Sequence, residues 1–110
     1  GGMKVPFFFD PDSDVELDPR AYFVELEFRG ESKDLMITND TTGDTFKYSG
    51  TTLKEDYLLI TSSKVLLNGE SVIRNTNKTL INFGPGENML RVQNFTGFFK
   101  LTIRFRKQQL

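Results

Sequence analysis

The sequence predicts an all-β domain, an antiparallel sandwich or barrel, and three observations carry that expectation. From Ala21 onward apolar residues recur at every second position, as they do in strands that bury one face. Turn-forming residues interrupt the pattern about every ten residues, the spacing of short strands in all-β folds. Nowhere does an i, i+3, i+4 apolar stripe appear between helix caps, so helix content should be near nil. At 110 residues the chain holds one domain and one core.

Taken in order, residues 1–20 read as a tag scar followed by an acidic arm or linker, and 21–110 as the domain. Gly1, Gly2 and Met3 resemble the remnant of a cleaved tag. The following stretch carries three of the four prolines and no sustained period. Phe7, Phe8 and Phe9 need a surface to cover, as part of an interdomain segment or as an edge strand. In "AYFVELEFRG" Tyr22, Val24, Leu26 and Phe28 face one way, and Phe23, Glu25, Glu27 and Arg29 the other. Next comes strand, turn, strand: Leu35 and Ile37 point in, residues 39–43 supply the turn, and Phe46 and Tyr48 point in again. Two apolar runs flank Ser62 and Ser63, and Asn68-Gly69 is the strongest short hairpin signal in the chain. "TLINF" is expected as a short strand. The chain closes on a hairpin about residues 94–97, after which Phe99, Leu101, Ile103 and Phe105 alternate with Lys100, Thr102, Arg104 and Arg106. The sum is roughly eight or nine short strands.

Composition narrows the chemistry. Thirty-seven per cent apolar residues with eleven Phe and no Trp suit a dry core. A net charge of -1 gives no global field for nucleic acid, and no apolar run approaches a membrane span, so neither nucleic-acid binding nor membrane insertion is expected. The absence of Cys excludes disulfides, thiolate metal sites and Cys nucleophiles. The absence of His removes the usual general base and the commonest zinc ligand.

Each candidate constellation meets a physical objection. "FGPGENMLRV" could suggest a phosphate-cradling loop, but such loops place their anion at a helix N-terminus. A strand pattern follows Gly86 here, and the Lys and hydroxyl of a P-loop are missing. The stretch reads as a turn into a strand. Asp10, Asp12 and Asp14 match the first calcium positions of an EF-hand loop, yet Val15 and Ala21 stand where Gly and Glu are required. Glu25 and Glu27, roughly 6.6–6.8 Å apart on one strand face, lie near the separation of an inverting glycosidase pair. Their face reads as exposed and solvated, with nothing to drive their pKa values apart. Ser63-Lys64 could form a dyad only through a turn, because neighbours on a strand point to opposite faces. No enzyme, metal or cofactor is expected. Lys100, Arg104 and Arg106 make a basic stripe on the last strand. It reads first as a solubilising sheet face and second as a surface for an acidic partner.

The order of motifs is more specific than any one of them. Asn39, Thr41, Thr42 and Gly43 lie in the first turn, Val65, Asn68 and Gly69 in the hairpin, and Gly84, Pro85, Gly86, Asn88 and Arg91 before the last strands. This succession, about eighty residues long, resembles the C-terminal domain of siphovirus distal tail proteins, from phages and prophages of Gram-positive hosts. The segment 4–20 lies outside the resemblance.

The resemblance implies a galectin-like or jelly-roll sandwich behind a ring-forming N-terminal domain, in a full-length protein that is hexameric. It implies a place at the virion tail tip after synthesis in the bacterial cytoplasm. It further implies docking to other tail proteins or host-recognition components, and a fragment that is monomeric or weakly associated. It transfers no catalytic or metal residue. Lys100, Arg104, Arg106, Phe7, Phe8 and Phe9 are the candidate interaction residues. The competing expectation is a carbohydrate-binding sandwich that contacts host cell-surface glycans.

Overall fold

Alternating side chains through 22–39 and 86–107 build two long antiparallel strands that organise everything else. In a computed structural model, residues 2–9, 22–79, 81–84 and 86–107 are described, without the side chains of 7–9, 22, 23, 106 and 107. The strands are β1 (Gly2–Phe9), β2 (Tyr22–Asn39), β3 (Asp44–Thr52), β4 (Tyr57–Ile60), β5 (Val65–Leu67), β6 (Glu70–Ser71) and β7 (Gly86–Lys107), with one 3-10 turn at Ile73–Asn75. The sheet order is β1-β7-β2-β4-β5-β6, and β3 also pairs with β2.

One strand has three partners because β2 bends. Its first half, to Arg29, lies between β4 and the end of β7; its second half lies between β3 and the start of β7. The halves of β2 and β7 thus belong to two layers joined by a folded corner, a device of sandwich-like architectures. A single core fills the space inside: Leu26 and Phe28 from one half of β2, Leu35 and Ile37 from the other, joined by Phe46, Leu58, Ile60 and Val92. The all-β, sandwich-like expectation is met.

The corner has a legible chemistry. At Gly30, φ is +153°, and an added Cβ would sit 2.9 Å from the Phe99 Cβ and 3.2 Å from the Phe98 carbonyl oxygen. Only a residue without a side chain lets the strands approach this closely. The Thr52 hydroxyl donates to the Gly30 carbonyl at 2.6 Å. Its one proton is thereby used, so the buried Ser32 hydroxyl, 2.7 Å away, donates to Thr52. On β7 the register jumps from Phe99 to Thr96, leaving Gly97 and Phe98 as extra residues. On β2 it jumps between Ser32 and Met36, where the Asn94 amide donates to the Asp34 carbonyl at 2.8 Å.

Three local expectations change. Residues 94–97 form no hairpin: Asn94 and Gly97 take positive φ inside a continuous, bulged strand. Fusing neighbours across such bulges leaves seven named strands among the described residues, two of them long, instead of eight or nine short ones. "TLINF" pairs with no strand among its described residues. Ile81 is buried in the core, and side chains satisfy the Asn82 backbone: its N–H donates to Asp44 and its carbonyl accepts from Asn39. Finally, residues 2–9, expected as a tag scar and arm with an edge strand as the equal alternative for Phe7, Phe8 and Phe9, form the edge strand β1, paired with β7 from Phe9↔Gly86 to Gly2↔Gln93. Pro6 fits an edge, where a missing N–H costs no ladder bond. The β5–β6 turn is as expected, with positive φ at Asn68 and Gly69, as a type I′ turn requires.

Candidate functional site

Most of the sequence-derived candidates fall among the described residues. Within the basic stripe, Arg104 is neutralised on its own sheet. Glu25 faces Arg104 across the β2–β7 ladder, and their side chains meet at 3.2 Å. Arg104 also reaches Glu27 at 3.6 Å, and Arg29 meets Glu27 at 3.1 Å. The two carboxylate side chains are only 14% exposed. The expected solvated acidic face is therefore a half-covered ladder of alternating charge, because Arg104 folds over both acids. Arg29 also stacks on Tyr57 at 5.0 Å. Lys100 is exposed opposite Arg29. The Arg106 side chain and the rings of Phe7, Phe8 and Phe9 lie outside the described residues, as do Asp10, Asp12 and Asp14. In the turn after β4 the Thr61 hydroxyl accepts from the Ser63 and Lys64 backbone N–H groups, and both of those residues are exposed. Among the described residues no group of three acids gathers to hold a metal.

Two of the three motif segments, the first turn and the approach to β7, meet instead in a buried polar knot, while Asn68 bonds to Asp56 and Tyr57 in the hairpin. Asn39 and Asn88 are both 0% exposed. The Asn88 amide nitrogen donates to the carbonyls of Gly84 and Gly86, while its oxygen accepts from the Gly84 N–H and the Asn39 amide. Asn39 in turn accepts from the Thr41 N–H and donates to the Asn82 carbonyl. The Thr41 hydroxyl accepts from the Met89 N–H, and Arg91 bridges to Asp40 at 3.0 Å. Residues forty or more positions apart thus clamp the β2–β3 turn to the entrance of β7. Their role is structural, and within "FGPGEN" the knot holds Gly84 and Gly86 to Asn88.

Asp44 sits at the rim of the knot. The Thr42 hydroxyl, then the Asn82 N–H, hold its carboxyl below the usual aspartate range. A depressed folded pKa stabilises the fold above the unfolded value, about 3.9, and that contribution fades as pH falls through the folded one. Asp56 is shifted the same way by the Asn68 amide and the Leu53 N–H. Denaturation midpoints followed by circular dichroism should decline as pH drops below about 4. Asp44→Asn should flatten part of that decline; an unchanged slope would remove Asp44 from it.

Two features escaped the sequence reading. The first is a groove of about 370 Å³ over the second half of β2, β3 and the 3-10 turn. Met36 and Tyr48 give it apolar walls, and Asp34, Asn94, Lys47 and Arg74 give it polar ones. Its loop wall is pinned to the edge of β3. Asn77 accepts from the Lys47 N–H and donates to the Thr45 carbonyl, and Ser49 donates to the Asn75 carbonyl. The second is Phe98, 99% exposed at the corner, beyond Gly30, near which Thr52 leads into the 62% exposed Leu53. Alternation back from Lys100 and Thr102 already turns Phe98 outward, but its place on a bulge that leaves it without a cross-strand partner depends on register with β2.

Comparison with family descriptions, with curated proteins and with solved structures gives no match.

Proposed function

We propose that this chain is a structural and interaction module of a phage tail tip, the C-terminal domain of a distal tail protein, and that it docks other tail or host-recognition components. The observation that carries the reading is Phe98, a fully exposed ring on the β7 bulge, which suits an aromatic anchor for a protein partner. The meeting of the first-turn residues with Gly84, Gly86 and Asn88 in one knot adds support, because it gives two of the three motif segments a shared structural reason. A galectin-like topology, a hexameric full-length protein and a virion location belong to the same proposal.

Immunogold labelling with antibodies against this chain should mark the tail tip of particles; label elsewhere, or none, would overturn the reading. Phe98→Ser should leave unfolding within about 0.5 kcal/mol of the parent. It should weaken capture by the tail-tip partner about tenfold or more. Unaltered capture would remove Phe98 from the interface.

The groove favours a second reading, a carbohydrate-binding module that contacts host-surface glycans. Its volume lies within the range of small-molecule sites, and its mixture of apolar walls with a few convergent polar groups is typical of them.

A further inference from the structure

We propose that the groove between β3 and the 3-10 turn binds an acidic saccharide, a sugar chain whose charge comes from carboxylate or phosphate. The inference rests on the carbohydrate reading above and adds the charge of the ligand.

Three observations lead there. First, the groove holds two cations, Lys47 and Arg74, against one carboxylate, Asp34. Neither cation has an ion-pair partner among the described residues. The local charge is positive on a chain whose net charge is -1, so an anion is complementary here, whereas on the β2–β7 face Arg29 and Arg104 are already paired. Second, the walls are preorganised. Asn77 spends both ends of its amide on the β3 backbone, and Asn94 holds the Asp34 bulge. The loop wall and the bulge are therefore set before a ligand arrives, and the exposed Lys47 and Arg74 side chains are what it must order. Third, the polar groups suit hydroxyls as well as charge. The Asn94 oxygen and the Asp34 carboxylate accept, Arg74 and Lys47 donate, and the half-buried Met36 offers apolar surface to the face of a sugar ring.

Titration calorimetry on the 110-residue chain at low salt decides the matter. The probes are a tetragalacturonate, a phosphate-bearing mannose tetrasaccharide, a neutral galactose tetrasaccharide and an octaglutamate peptide. One or both charged saccharides should bind saturably, about tenfold or more tighter than the neutral one, as one charge-assisted contact allows. Which of them binds identifies the charged group. Lys47→Ala and Arg74→Ala, both at exposed positions, should each weaken binding about tenfold with unchanged circular dichroism. Equal affinity for the neutral sugar would overturn the charge preference while leaving the carbohydrate reading standing. No binding of any saccharide would overturn both. Octaglutamate binding as tightly as the best sugar would overturn the saccharide assignment, and full affinity in both variants would remove the site from this groove.

Discussion

Phe28→Ala should cost about 3–5 kcal/mol of folding stability, the range for deleting a fully buried aromatic ring. Phe28 is 0% exposed. Its ring stacks on Phe99 at 5.8 Å, and Phe99 in turn meets Phe95 at 4.6 Å. These rings line the corner where β2 and β7 fold over, two residues from Gly30. Loss of the ring therefore opens a cavity where backbone freedom is least, since Gly30 already stands against Phe99. A domain of this size is stable by about 5–15 kcal/mol, so the variant should lie near its folding threshold. Phe28→Leu keeps most of the volume and should cost well under half as much. With no Trp in the chain, far-ultraviolet circular dichroism in urea is the suitable measurement. A loss below about 1 kcal/mol for Phe28→Ala would mean that the corner collapses onto the space, contrary to the rigid packing inferred here.

The same corner shows why some of the fold was legible in the sequence and some was not. Period-two alternation located the buried faces of β2 and β3, because Leu26, Phe28, Leu35, Ile37, Phe46 and Tyr48 each fill one side of a pleat. It could not show that β2 passes through residues 31–34 without ending. Gly30 and Asp34 look like turn chemistry, and only pairing with β7 turns them into bulges within one strand. The apparent hairpin at 94–97 failed for the matching reason on the opposite strand. "TLINF" looks like a strand because Ile81 is apolar and flanked by turns; the Asn82 backbone within it is satisfied instead by Asp44 and Asn39, which are distant in sequence. The groove was invisible for a third reason: its residues come from four separate segments, and none belongs to a motif. The knot was half legible, since the motif residues stood out as a set before their contact was known.

Asn88→Ala should be the most damaging polar change, costing about 3 kcal/mol. One amide here satisfies four partners: the Gly84 N–H, the carbonyls of Gly84 and Gly86, and the Asn39 amide. Removing it leaves several buried groups unpaired, and each uncompensated group costs about 1–3 kcal/mol; relaxation of the 84–86 turn toward water should return part of the sum. Asn88→Asp separates shape from hydrogen bonding. The isosteric carboxylate still accepts from Gly84 and Asn39, but it loses both donated bonds and sets a charge at a 0% exposed site. It should therefore be at least as destabilising at neutral pH and recover partly in acid, where a protonated carboxyl can donate one bond. Amide hydrogen exchange provides the local test. In Asn88→Ala, protection should fall first at Gly84, Met89 and Thr41, the N–H groups held by the knot, while β4 and β5 keep theirs. Uniform loss across the sheet would instead show that the knot and the core unfold as one unit, and that this end of β7 is no separate clamp.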